Sequence, residues 1–257
     1  MKNILKIMLM MITIFTIAGS AVYAAEIPVS DQDQLITSND WTEISNLQDE
    51  MKKEEPDATI DYDKALKVYV DCNLIKLQTA DTKKLTSALE SANYVWVIPF
   101  KMEKTYGMFT VAKGLPLREE AKSVLTKAEQ EEVKNHAGKW MITEIAEHTV
   151  EPYYDILLEK REALSDCTRV VLVGSQPGMR QPVALGMDDE TARIWISLGY
   201  QYPVMEKIPE TQNVESGVYS FDSVAEISDT YIEDSEVSTG AGVQSRSSMK
   251  YVAGIGI

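Results

Sequence analysis

The apolar residues between positions 65 and 203 follow the periods of strands and of helices in turn. Leu66, Val68 and Val70 alternate with more polar neighbours, which is the period of a strand with one buried face. Leu85 and Leu89 recur at helical spacing, and Asp81 is placed to cap that helix. The same criteria predict helices at 41–55, 81–92, 118–135 and 149–164, and strands at 66–70, 94–100, 106–112, 140–146, 169–173, 182–185, 192–198 and 218–227.

A few single residues sharpen these boundaries. Asp40 is predicted to be the N-cap of the first helix, with Glu43 three residues later. Pro99 lacks a backbone donor, so we expect it at the end of its strand or at a bulge. Pro177 and Gly178 predict a type II hairpin turn before an edge strand. The tryptophans lie on periodic apolar segments and are predicted to pack in the core: Trp41, Trp96, Trp140 and Trp195.

The order of the elements predicts an α+β protein with a mixed or antiparallel sheet, or sheets, and packed helices. Residues 66–113 read strand, helix, strand, strand, and residues 140–198 repeat this order with one further strand. This repetition suggests the hypothesis of two βαββ-like units. They would be joined by a surface helix at 118–135, where the apolar stripe is thin.

Residues 1–24 have the features of a secretory signal peptide. Two lysines form a basic start, residues 7–18 are almost wholly apolar, and small residues precede a cleavage site between Ala24 and Ala25. The alternative is an uncleaved membrane anchor. A helix needs about 20 apolar residues to cross a bilayer, and the apolar stretch at 7–18 is shorter than that. We therefore predict a secreted or extracellular protein. Association with the cell envelope stays open, and no stable membrane anchor remains after cleavage.

Four regions follow from this pattern. They are the signal peptide at 1–24, an arm with a helix and a charged linker at 25–64, an α+β core domain at 65–203, and a polar, partly flexible C-terminal region at 204–257. Apolar residues make up 44% of the chain, which is enough to bury a core.

The chain is strongly acidic. It has 25 Lys and Arg against 40 Asp and Glu, a net charge of -15, and removal of 1–24 would take away two lysines and no acid. Nucleic acid is excluded as a partner, because its binding depends on neutralising phosphates with basic residues. The charge also keeps a protein soluble.

Cys72 and Cys167 are the two cysteines of the chain. Because an exported protein meets an oxidising or thiol-poor space, we predict a disulfide between them. Two buried free thiols are the alternative. A zinc site would need more Cys and His at suitable spacing.

No catalytic, cofactor or metal site is predicted. His136 and His148 are the only histidines, and Ser175 follows Gly174 in a turn sequence that is not a nucleophile elbow. Glu144, Glu147, His148 and Glu151 form the densest set of potential ligands, but neighbours on a strand point to opposite faces. Residues 187–190 lack the spacing of a calcium loop. No phosphate loop or dinucleotide fingerprint occurs.

These observations favour an exported, non-catalytic binding or cell-envelope accessory protein with an unknown ligand or protein partner. The absence of an Asn-x-Ser/Thr sequon fits a bacterial origin. Two alternatives remain open. One is an extracellular hydrolase that uses carboxylates or a metal. The other is an inhibitor or chaperone-like protein that presents the hairpin at 176–178.

Overall fold

The computed structural model describes residues 27–148, 151–174, 176, 179, 181–199, 207–208 and 213–227. They form an α+β structure around one mixed sheet, which confirms the predicted fold class. The strands are β1 (Thr59–Ile60), β2 (Leu66–Val70), β3 (Asn93–Lys101), β4 (Tyr106–Lys113), β5 (Trp140–His148), β6 (Arg169–Val173), β7 (Val183–Met187), β8 (Ala192–Ser197), β9 (Asn213–Glu215) and β10 (Val218–Ser220). The helices are α1 (Trp41–Ile44), α2 (Gln48–Glu54), α3 (Thr82–Glu90), α4 (Lys127–His136), α5 (Tyr153–Glu159) and α6 (221–227).

The sheet consists of two antiparallel halves. Its strand order is β5-β4-β3-β2-β6-β7-β8-β10-β9, and β1 pairs with the end of β3. The two halves meet at β2 and β6, which run parallel, whereas the other neighbouring strands within the described residues are antiparallel. β1, β9 and β10 lie outside 65–203, so the sheet includes both flanking segments.

Apolar cores lie on both faces of the sheet. The α3 face is covered by α1, α2, α3 and α6, and the α5 face is covered by α5 and residues 27–29. On the α3 face, Leu85 packs in one cluster with Trp195. On the α5 face, Leu157 packs in one cluster with Val68. The strands of the centre are therefore buried on both sides.

The predicted burial of the tryptophans is confirmed. Trp96 and Trp195 are fully buried, and Trp140 is nearly so. Trp41 is half-buried and packs edge-on against the ring of Tyr62, with 5.2 Å between ring centroids. The four rings thus belong to the packing of the fold.

The two predicted N-caps have different outcomes. The carboxylate of Asp81 accepts two backbone N–H groups in the first turn of α3, as predicted. Asp40 precedes α1, but its side chain makes no cap hydrogen bond. It accepts instead from the Tyr94 hydroxyl at 2.9 Å and from Trp96 Nε1 at 3.0 Å. The capping role of Asp40 was wrong because the donors of the sheet take up its carboxylate.

Pro99 lies inside β3 rather than at its end. Its carbonyl accepts from the N–H of Asp61 at 2.9 Å, on the side of β3 that pairs with β1 and β2. In a strand, the N–H and C=O of one residue point the same way, so the missing donor of Pro99 falls between the ends of β1 and β2. The gap between β1 and β2 therefore accommodates the missing N–H of Pro99, as the expected bulge would have done.

The helix predicted at 118–135 is divided in two. A 3₁₀ turn at Glu120–Ser123 precedes α4, which begins after Thr126. Thr126 and Glu129 form a capping box, which starts a new helix at that point. None of the residues of α4 is buried, so the predicted surface position is confirmed.

Of two predictions about the strand at 182–185 and the turn before it, the edge position of the strand was wrong. β7 lies between β6 and β8 and is an interior strand, not an edge strand. The predicted turn within the connection between β6 and β7 agrees with the hydrogen bond that the N–H of Met179 donates to the carbonyl of Gln176 at 3.0 Å, and positions 177 and 178 themselves lie outside the described residues.

The strand predicted at 218–227 is short and becomes a helix. β10 ends at Ser220, whose Oγ accepts from the N–H of Ser223 at 3.2 Å. This hydrogen bond has the geometry of an N-cap and begins α6. Phe221 and Val224 of α6 then pack on the α3 face.

The order of the strands agrees with only the first of the two predicted βαββ-like units. β2, α3, β3 and β4 form a contiguous unit, since β2, β3 and β4 are neighbours. β5 is separated from β6 by β4, β3 and β2. The second run therefore does not form a contiguous βαββ unit.

Cys72 and Cys167 are free thiols, so the predicted disulfide is absent. Cys167 lies before β6 in the cluster of the α5 face, and Cys72 follows β2 and packs against the cluster of the α3 face. Because β2 and β6 are parallel, the two thiols lie near opposite ends of this pair as well as on opposite faces. A disulfide requires Cβ atoms about 4 Å apart.

Candidate functional site

A groove of about 280 Å³ opens on the α5 face over strands β2 to β5. Its floor consists of apolar side chains from alternate positions of these strands. Tyr153 of α5, together with Pro182 before β7, lines the groove as well. The floor of this β2–β5 groove is formed by Val68, Val70, Val95, Val97, Met108 and Ala146.

The floor is only partly covered. Val68 is 1% exposed and Val97 is 8% exposed, so both belong to the core of the α5 face. Val95, Met108 and Ala146 are half-buried. Apolar surface thus remains open here, and a ligand that covers it gains about 25 cal/mol for each Å² removed from water.

A β-bulge shapes the outer side of the groove. Thr110 of β4 is opposite Glu144, while the next residue of β4 is opposite Ile142, so Thr143 is the extra residue. The Thr143 hydroxyl donates to the carbonyl of Thr110 at 3.1 Å. The extra residue lets Ile142 and Ile145 pack together on the α3 face while Glu144 lines the groove on the α5 face.

Glu144 is the only charged side chain among the described residues that line the groove. It is exposed, and no hydrogen bond or ion pair of its carboxylate occurs within the part of the chain that the structure describes. Next to it, the polar lining includes Thr110, and across the groove it includes Gln181. The Tyr153 hydroxyl donates to Gln181 Oε1 at 3.4 Å. The groove therefore combines an apolar floor with a rim that carries one negative charge.

A second polar cluster lies on the α3 face, around a carboxylate that is closed to solvent. The carboxylate of Asp33 is 2% exposed and accepts from the Tyr69 hydroxyl at 2.7 Å and from the Ser30 hydroxyl at 2.6 Å. Arg169 lies 3.1 Å from this carboxylate and Lys67 lies 3.6 Å from it. Burial, and then the charge of Asp33, raises the pKa of Tyr69 above its ordinary value. This cluster joins the N-terminal segment to β2 and β6, which is a structural role.

Lys67 lies among aromatic rings of the same face. Its ammonium is 4.6 Å from the ring centroid of Tyr94 and 5.3 Å from that of Trp96. Burial, and then the hydrogen bond to Asp40, raises the pKa of Tyr94 above its ordinary value. The aromatic rings thus stabilise a lysine that is itself buried.

The candidate ligands of the sequence are not brought together. Glu144 lines the groove. Glu147 lies on the other face, near Glu55 at the end of α2. Burial, and then the charge of Glu147, raises the pKa of Glu55 above its ordinary value. His136 ends α4 and is half-buried. His148 ends β5, and residues 149 and 150 lie outside the described residues. Among the described residues, no group of three or more His, Cys, Asp or Glu could hold a metal ion.

The turn at 187–190 is satisfied by its own groups. Asp188 Oδ1 accepts from the N–H of Thr191 at 2.6 Å and of Glu190 at 2.8 Å. These backbone donors, and then Arg193, lower the pKa of Asp188 below its ordinary value. The polar turn that was preferred over a calcium site agrees with this geometry.

The segment proposed as a presented hairpin is anchored at Gln176. This side chain is 3% exposed, donates to the carbonyls of Cys72 at 2.6 Å and Gly174 at 2.8 Å, and accepts from the N–H of Leu74 at 3.1 Å. Gln176 therefore fastens the β6–β7 connection to the segment after β2. Ser175 lies outside the described residues, as do the cleavage positions Ala24 and Ala25.

Comparison with known proteins gives no relative from which a role could be transferred: no family model, curated protein or solved structure matches this chain. Within the described residues, no helix is both long enough and apolar enough to cross a membrane. The groove was not predicted from the sequence. A usable signal was the spacing of Ile142 and Ile145, which is three residues inside a strand and so indicates a bulge.

Proposed function

We propose that the chain is an exported protein that binds a ligand in the β2–β5 groove and does not catalyse a reaction. The signal-like residues 1–24 support export. The combination of an apolar floor with a few polar groups at the rim supports binding, because ligand sites in proteins have this composition.

The observation that carries the proposal is the open apolar floor. Val95 and Met108 of neighbouring strands are half-buried, whereas the core side chains of the same face, such as Leu172, are buried under α5 and residues 27–29. Apolar side chains gathered in a concave site with a polar rim mark interaction sites more often than apolar residues scattered over a surface. A ligand in the groove would complete the cover of this face.

Binding of Nile red, a neutral dye whose fluorescence rises in apolar surroundings, tests the proposal. We expect saturable binding to the purified protein. The variant Ala146→Phe places a ring over the floor and should abolish this binding. The matched control Ala121→Phe, in the surface turn before α4, should bind the dye like the unchanged protein.

Absence of dye binding, or equal binding by Ala146→Phe, would contradict the proposal. Circular dichroism and thermal melting must show that the variant is folded. Should Ala146→Phe fail to fold, Val95→Thr offers a second test, since it makes the floor polar with little change of volume and should weaken dye binding.

A further inference from the structure

The strand that carries Glu144 lies at the edge of the sheet. β5 begins the strand order, and no strand of the described residues pairs with its outer side. An exposed strand edge offers unpaired N–H and C=O groups to an extended polypeptide. The lining of the β2–β5 groove thus extends to the edge strand of the sheet, through Glu144 and Ala146.

The volume of the groove is also compatible with side chains that a larger partner presents. Pockets that enclose drug-sized ligands measure about 300–1,000 Å³. The β2–β5 groove, at about 280 Å³, lies at the lower end of this range. It fits one or two side chains that a larger partner presents.

The charge of the groove indicates the charge of its partner. Glu144 is exposed, and the lining of the groove contains no basic side chain among the described residues. The whole chain has a net charge of -15, which attracts basic partners over a longer range. The complementary ligand is therefore positively charged as well as apolar.

The geometry of β5 sets the distance between the charged contact at Glu144 and the apolar contact at Ala146. Glu144 and Ala146 are two positions apart and line the same face. A strand added beside β5 would place two of its own side chains, also two positions apart, next to them. Ala146 is small, so the side chain beside it can extend over the floor toward Met108.

We propose that the groove binds an extended, basic polypeptide segment that pairs with the edge of β5. A Lys or Arg of this segment lies opposite Glu144, and an apolar side chain two positions away enters the groove over Ala146. The inference rests on the proposed function, because it names the ligand class of the same site.

The test uses two fluorescent, end-blocked eight-residue peptides of Thr and Ser. One contains Lys and, two positions later, Val, and the other has Gln in place of Lys. The readout is the dissociation constant from fluorescence anisotropy with protein purified after expression of the full chain. We expect the Lys peptide to bind about fivefold more tightly, the upper end for an exposed ion pair. High salt should reduce the difference.

Glu144→Gln should remove the preference for Lys. Glu147→Gln should keep it, since it removes the same charge from the same strand on the other face. Glu144→Lys should reverse the preference when a peptide with Glu in place of Lys is included. Both glutamates are exposed, so we expect these variants to fold.

The outcomes separate the two proposals. One outcome is that Nile red binds, that the Lys and Gln peptides have the same dissociation constant, and that Ala146→Phe abolishes all binding. The groove is then a ligand site, and the inference about charge is overturned. If neither dye nor peptide binds, the proposed function fails. If Glu144→Gln leaves peptide binding unchanged but causes self-association, Glu144 guards the edge against pairing, and the inference is also overturned.

Discussion

The hydroxyl of Tyr69 donates a hydrogen bond of 2.7 Å to the carboxylate of Asp33, which lies 36 positions earlier in the chain. Arg169 contacts the other oxygen of the same carboxylate at 3.1 Å. One buried acid thereby joins the N-terminal segment to the parallel pair at the centre of the sheet. The stability of this junction is open to direct test.

Asp33→Asn should lower the free energy of unfolding by about 3 kcal/mol, because breaking a buried ion pair leaves its partner charges without compensation. Those charges belong to Lys67 and Arg169. Urea denaturation followed by tryptophan fluorescence measures the change. Asp31→Asn, at an exposed position close by, is the control and should have little effect. Equal midpoints for the two variants would contradict the role assigned to Asp33.

Asp40 should couple energetically to Tyr94 rather than act as a helix cap. Asp40→Ala leaves the donors of Tyr94 and Trp96 without their acceptor, at a cost of about 1–3 kcal/mol. A double-mutant cycle with Tyr94→Phe should give a coupling of about 1 kcal/mol in urea denaturation. A coupling of zero would indicate that Asp40 acts on α1 alone.

Gly107 should not tolerate a side chain. A Cβ at this position would overlap the ring of Phe100, its cross-strand neighbour, so Gly107→Ala should destabilise the protein by about 1–3 kcal/mol. Gly174→Ala is the matched control, since its Cβ would lie at an ordinary 3.5 Å from Val70. Thermal melting of both variants checks the difference. Similar melting temperatures would show that the strands can separate to admit the methyl group.

Cys72 and Cys167 should be reduced and unreactive in the folded protein. Burial raises the pKa of each thiol from an ordinary 9.0 to about 11. At pH 8 we expect slow reaction with Ellman's reagent, and fast reaction of two thiols after unfolding in urea. A drop in melting temperature on adding reductant would instead reveal a disulfide.

The same shifts give a dependence of stability on pH. A thiol whose pKa is raised by folding keeps its proton up to a higher pH in the folded state than in the unfolded state. Its contribution to stability is complete below pH 9 and is lost between pH 9 and about 11. Replacing both cysteines with Ala should flatten this part of the stability curve, as measured by urea denaturation at several pH values. An unchanged slope would assign the effect to other groups.

Local patterns of residues were enough to predict several elements of the fold. The alternation of Leu66, Val68 and Val70 identified β2, and Asp81 identified the start of α3, because strand period and helix capping depend on residues within a few positions. The overall α+β class followed from the order of such elements. These features need no knowledge of what packs against them.

Other features depend on residues that are distant in the chain, and these became visible only in the folded protein. Asp40 bonds to Tyr94 instead of capping α1, because that hydroxyl reaches its carboxylate only after β3 packs below the helix. β7 became an interior strand when β8 paired with its second edge. Cys72 and Cys167 were separated by the parallel pairing of β2 with β6, which no local pattern encodes.

The β2–β5 groove belongs to the second group for the same reason. Its floor comes from four strands, and its other wall comes from α5 and the segment before β7. Each valine reads locally as part of a half-buried strand. Whether its exposed side meets solvent or another element depends on how far α5 extends across the face, which is set by packing between segments distant in sequence.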